Sequence, residues 1–180
     1  MAKPKAKVVS SKMIYQGKVF GVRQDRVVEP GGVDALRDVV THNGSVVILP
    51  VLSGRILLVR QYRHTVGDFL WELPAGRMER GEKPAVAANR ELEEETGYRA
   101  KHLKMMMDVY PTPGFVEERM VVYAATGLVP GESHPDDDER ISTKPFKLAT
   151  LLRMIRQHQI HDAKSVAGIL FYARFLHSSR

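Results

Sequence analysis

The chain has 180 residues, 43% of them hydrophobic, enough for a compact domain with a sizeable core, and it lacks cysteine, which excludes disulfides, thiolate nucleophiles and cysteine-based zinc sites. No apolar run reaches the roughly 18 residues that span a bilayer, and the basic start Met1 to Lys7 leads into no apolar stretch of the secretory kind, so a cytoplasmic location and no membrane partner are expected. The formal net charge of +6 serves either solubility or attraction of an anionic substrate, and its basic residues are interleaved with acids rather than gathered in a stripe, so no nucleic-acid partner is expected. In chain order, Val8 to Val40 reads as short strands broken at Gln16-Gly17 and at Pro30-Gly31-Gly32, a small antiparallel sheet of its own. Ser45 to Leu52 and Arg55 to Gln61 flank Ser53-Gly54 and predict a hairpin. Pro84 to Glu95 predicts a helix, with Pro84 in the first turn and Gly97 as the C-terminal cap. Leu103 to Val109 and Arg119 to Ala125 predict strands, with Met105, Met106 and Met107 as core filling. Leu148, Leu151, Leu152 and Ile155, then Val166, Ile169, Leu170 and Ala173, fall at helical spacing and predict two closing helices. Strands mixed with three helices, without strict alternation, predict an α+β fold: a mixed sheet between helices, preceded by the antiparallel N-terminal sheet. The expected division is 1–42 for that sheet and 43–180 for the main domain.

The most informative stretch is Gly76 to Tyr98, whose helix carries Glu91, Glu93, Glu94 and Glu95. Helical geometry puts Glu91, Glu94 and Glu95 on one side. Like charges there repel, and the C-terminal end of the macrodipole disfavours them further. Two readings follow: a solvated acidic face, or a site where a hard cation turns repulsion into coordination. Arg90 stands four residues before Glu94 and can orient it.

The wider spacing resembles the Nudix signature: Gly76, Glu82, Arg90, Glu91, Leu92, Glu94, Glu95, Gly97 and Tyr98 occupy its positions, with Tyr98 aromatic where an aliphatic residue is usual. The resemblance implies an α/β/α sandwich and a loop–helix–loop that holds metal. It implies Glu91 and Glu95 as metal ligands, Glu94 as a ligand or catalytic aid, Glu82 as support and the Ala75 carbonyl as a further ligand. Mg²⁺, or Mn²⁺ in its place, is the expected cofactor, as two or three ions.

Outside this box, Arg60-Gln61-Tyr62-Arg63, Trp71 to Gly76, Thr112-Pro113-Gly114-Phe115, His134 to Glu139 and Ile160 to Ser165 resemble the ADP-ribose pyrophosphatase subgroup. That resemblance implies Arg63 as a contact to the substrate pyrophosphate and Glu139 as the catalytic glutamate, acting on water or as a metal ligand. Glu72 and Arg77 join Arg63 as expected substrate-binding residues, with Glu94 and Glu95 beside Glu139 as catalytic ones and Arg90 in support. The subgroup also implies a homodimer that exchanges N-terminal sheets and brings Arg37 or Arg26 to the neighbour's nucleotide. The expected reaction is hydrolysis of ADP-ribose to AMP and ribose 5-phosphate. The alternatives are another nucleoside diphosphate derivative, such as a nucleotide sugar or an oxidised nucleotide, or a non-catalytic ligand sensor on the same fold. Taken as residues alone, Arg63 also fits a surface charge and Asp136 to Glu139 a solvated loop. His158 and His161 are expected to be structural or exposed, and Trp71 to belong to the core.

Overall fold

A computed structural model of the chain describes residues 4–134 and 140–177. It divides into two compact units, Met1–Gly44 with Tyr110–Arg119, and Ser45–Val109 with Met120–Arg180.

The first unit is an antiparallel meander of β1 (Lys7–Gln16), β2 (Gly21–Val28) and β3 (Asp34–Thr41). Both sequence breaks become turns. Gly31 and Gly32 adopt φ of 95° and 83°, which side chains disfavour, and close the β2–β3 turn. Segment 110–119 joins this unit: Val40 N–H donates to the Phe115 carbonyl at 2.8 Å and the Val40 carbonyl accepts from Glu117 N–H at 3.1 Å, while Arg23 pairs with Glu117 at 2.7 Å. Strand β1 is exposed along its whole length, Val8, Val9, Met13, Ile14 and Tyr15 included.

The second unit is a mixed sheet. Its strands are β4 (Ser45–Leu52), β5 (Arg55–Arg63), β6 (Asp68–Glu72), β7 (Ala75–Arg77), β8 (Tyr98–Val109), β9 (Met120–Pro130) and β10 (Ser142–Phe146). They run in the order β10-β5-β4-β9-β8, with β6 on β5 and β7 on β4. The β4–β9 pair is parallel; the other pairings are antiparallel. The helices are α1 (Pro84–Thr96), α2 (Leu148–Arg156) and α3 (Ala163–Phe175). The predicted hairpin turns at Ser53 and Gly54, both with positive φ.

Strand β4 is buried on both faces, hence its unbroken apolar run. Val46 and Ile48 pack with Ala87, Ala88 and Leu92 of α1, while Val47 and Leu49 pack with Leu151 and Met154 of α2 and Ile169 of α3. Alternation along one strand therefore assigns α1 to one face and α2 and α3 to the other, the expected sandwich. Full burial of a side chain such as Leu92 contributes roughly 1.5–3 kcal/mol.

Three details differ from the sequence reading. A bulge between Met105 and Met107 turns Met106 and Met107 together toward the core and leaves Met105 exposed, so only two of the three fill it. On α3 the buried face runs through Ser165, Gly168 and Ile169, and Leu170 is exposed. Strands β6, β7 and β10 were not anticipated; β10 sits at a sheet edge, where Pro145 is tolerated.

Candidate active site

Helix α1 starts at Pro84, whose missing N–H costs nothing in the first turn, and stops at Gly97. Gly97 takes the left-handed conformation, φ 70°, and its N–H donates to the Glu93 carbonyl at 2.7 Å. Between these caps the helix faces β7 and the loop that follows it.

The approach of α1 to β7 is very close. A Cβ on Gly76 would lie 2.0 Å from the Glu91 carboxylate, so only glycine leaves that carboxylate its place. One turn further on, buried Glu95 accepts the Ala75 N–H at 3.2 Å. Glu91 and Glu95 thus flank the Ala75–Gly76 backbone. Glu93 points elsewhere, pairing with Arg99 at 2.6 Å.

Arg90 organises the loop. Its Nε and Nη2 each donate to Glu82 at 3.1 Å, Nη1 donates to Glu91 at 2.8 Å and Glu94 at 2.9 Å, and Nη2 also reaches the Arg77 carbonyl at 3.1 Å. The hydrogen bonds from Arg90 hold the Glu82 carboxyl below the usual glutamate range, and those to Glu82 raise Arg90 well above its ordinary value. Glu82 in turn accepts the Glu79 N–H at 2.9 Å, closing the loop onto the helix. Arg77 itself is exposed at the end of β7.

The donor set is carboxylate and carbonyl oxygen, the chemistry a hard divalent cation requires. Glu91, Glu95 and the Ala75 carbonyl fit such an ion by type and by their shared place on α1 and β7. Among the described residues no three His, Cys, Asp or Glu side chains converge into a metal cluster. Arg90 instead draws Glu91 and Glu94 to itself.

Arg63 ends β5 and makes a two-pronged pair with Glu72 of β6, Nε to Oε1 at 2.7 Å and Nη2 to Oε2 at 2.9 Å. Glu72 is buried, its side chain 2% exposed against 38% for Arg63. Burial pushes the Glu72 carboxyl up, but Arg63 and Lys164 outweigh it and leave the group below its usual value. Sequence reasoning missed Lys164, whose ammonium lies 2.5 Å from Glu72 and 2.9 Å from Asp162. It also missed the cap behind it: Asp162 accepts the Ser165 N–H at 3.0 Å, and Ser165 Oγ accepts the buried Leu73 N–H at 2.6 Å. The signal was an Asp three residues before a Ser at a helix start, an N-cap pattern.

Glu139 lies outside the described residues. The chain leading toward it is tied to the end of α1, where Ser133 Oγ and His134 N–H donate to the Glu94 carbonyl at 2.9 Å and 3.1 Å. Arg37 and Arg26 belong to the first unit, where Arg37 pairs with Glu29 at 2.8 Å and Arg26 with Asp34 at 3.0 Å. Trp71 packs against the core edge-on to Phe146, and His158 and His161 are exposed.

Comparison with known proteins gives this loop–helix–loop its family: residues 41–167 match the NUDIX domain. The chain belongs to the Nudix family. It is 38% identical over 176 residues to an ADP-ribose pyrophosphatase of Mycobacterium tuberculosis, covering 94% of this chain and 84% of that one. It is 33% identical over 168 residues to a methanol dehydrogenase activator of Bacillus methanolicus, covering 92% and 91%. Among solved structures, one described as an ADP compounds hydrolase superposes with a TM-score of 0.84 at 21% identity, over 98% of this chain and 96% of that one, and so shares the fold. The protein is therefore a Nudix hydrolase with pyrophosphatase chemistry on a nucleoside diphosphate-linked compound, and Nudix-type catalysis uses a divalent metal. No helix among the described residues is long and apolar enough to cross a membrane.

Proposed function

We propose that this Nudix hydrolase cleaves ADP-ribose to AMP and ribose 5-phosphate. The observation that carries the chemistry is the fit of the Glu91 carboxylate against Gly76, with Glu95 on the neighbouring Ala75 N–H. The choice of substrate rests on the M. tuberculosis relative and on the segments around Arg63, Trp71 and Ile160.

In this reading Glu91, Glu95 and the Ala75 carbonyl hold Mg²⁺, as two or three ions, and Glu94 assists. The bound metal supplies neutralisation of phosphate oxygens and a lowered pKa for the attacking water. Arg90 and Glu82 fix the carboxylates in place. Arg63 and Arg77 meet the pyrophosphate oxygens, a pairing that suits guanidinium geometry, and Glu72 acts through Arg63. Glu139 takes the proton of the attacking water. Water adds across the bridging P–O bond: one phosphorus gains its oxygen, and the bridging oxygen leaves with the other phosphate.

The working form is a homodimer joined through the N-terminal sheets. The exposed apolar residues of β1 support this, since a three-stranded sheet is marginal without packing. Arg37 or Arg26 then reaches the partner's nucleotide. The test of the activity is release of the corresponding nucleoside monophosphate from a panel of ADP-ribose, other nucleotide sugars and oxidised nucleotides with Mg²⁺. ADP-ribose is expected to give the highest kcat/KM. A nucleotide sugar or an oxidised nucleotide turned over tenfold better would overturn the substrate assignment.

A further inference from the structure

Arg63 is bound on two of its three nitrogens by one carboxylate. Left to itself, such a pair is close to neutral and would meet an anionic substrate poorly. The structure shows a second cation on the same carboxylate: Lys164 reaches Glu72 Oε2, the oxygen that also accepts Arg63 Nη2. The four charged groups form an alternating line, Arg63, Glu72, Lys164 and Asp162, whose most exposed end is Arg63.

The line is built into the fold. Lys164 stands in the first turn of α3, capped by Asp162. Ser165 holds the Leu73 N–H, so two adjacent residues, Glu72 and Leu73, are fastened to that turn. Further along α3, Gly168 lets the helix approach so closely that a Cβ there would lie 2.9 Å from Leu73 Cδ1. Helix α3 therefore presents Lys164 to a buried carboxylate, its side chain 2% exposed, where a charge pair is screened less than at the surface.

We infer that Lys164 is a positioning residue: by taking part of the charge of Glu72, it leaves Arg63 with net positive charge for the substrate pyrophosphate. This rests on the reading that Arg63 meets the substrate. Without Lys164, Glu72 would lean wholly on Arg63 and bind it harder.

The test measures kcat and KM for ADP-ribose with Mg²⁺, and the Kd of its non-hydrolysable methylene-bridged analogue, across a small set of variants. Lys164→Met is expected to raise KM and Kd at least fivefold with kcat within about twofold, and Lys164→Arg to restore both. Asp162→Asn keeps the cap but removes a negative charge that acts on Arg63, so it is expected to lower KM or leave it unchanged. This last variant still tests the inference if Lys164→Met fails to fold, because a raised KM would overturn it. Arg63→Met separates the two readings. If it raises KM and Lys164→Met does not, the role of Lys164 falls alone. If it leaves KM unchanged, both fall. A Lys164→Met protein that only melts earlier, with parental KM and Kd, is a structural variant and refutes the inference.

Discussion

Replacing Gly76 with alanine is the sharpest perturbation the geometry offers. The new Cβ would sit 2.0 Å from the Glu91 carboxylate, and ordinary contact begins near 3.4 Å, so the carboxylate must retreat by about 1.4 Å. The far end of a glutamate moves easily, which keeps the damage local. The retreat breaks the bond from Arg90 Nη1 to Glu91, at 2.8 Å, a partly exposed pair worth about 1 kcal/mol or less. A change of that size moves Tm by roughly 2–4 °C in a chain of this length. Catalysis is less forgiving: a misplacement of about 1 Å costs on the order of a hundredfold in rate, about 2.7 kcal/mol at the transition state. Gly76→Ala should therefore lose about a hundredfold in kcat while its thermal melt stays within a few degrees of the parent. Turnover by AMP release and a circular dichroism melt on the same preparation decide it. A variant that keeps kcat within threefold would refute the placing of Glu91 in the catalytic machinery. One that loses activity only by unfolding would refute the local argument.

Glu139→Gln should slow turnover at least tenfold while ADP-ribose affinity stays near normal, and a loss within twofold would make Glu139 an ordinary loop residue. The folded Glu82 carboxyl is held below its usual value of 4.5, so its contribution to stability is complete above that value and is lost as pH falls through the lower folded value. The difference in urea midpoint between the parent and Glu82→Gln should accordingly narrow as pH falls below 4.5, and a difference independent of pH would count against the Arg90 pairing. Sedimentation of the full chain should give a dimer, whereas a fully active monomer would rule out the exchange of N-terminal sheets and leave the carboxylate site untouched.

What the sequence disclosed and what it hid follow one physical division. Helix α1 was readable because Pro84 and Gly97 mark its ends chemically, and the β4–β5 hairpin because Ser53-Gly54 sits between two apolar runs. These are local signals. Strand β7 has three residues and owes its existence to Ser45, Val46 and Val47 some thirty positions away, so no local pattern announces it. The parallel pairing of β4 with β9 is non-local in the same way. The methionine bulge escaped because strict alternation is what a sequence reading assumes. At the site, the family spacing named Glu91, Glu94, Glu95, Glu82 and Arg90, and the structure brings Arg90 into contact with three of those four carboxylates. Lys164 stayed hidden because its partner Glu72 is 92 residues distant. A surface lysine and a lysine on a buried carboxylate look alike in sequence.

The central claim is that carboxylates of α1 carry the hydrolysis, and Glu95→Gln tests it most directly. Gln is isosteric and can still accept the Ala75 N–H that Glu95 accepts at 3.2 Å, so the fold should survive. With ADP-ribose and saturating Mg²⁺, the parent should release AMP and ribose 5-phosphate in equal amounts. The variant should be about a thousandfold slower in kcat, ~4 kcal/mol, with little change in KM. Equal turnover by the two proteins would contradict the account.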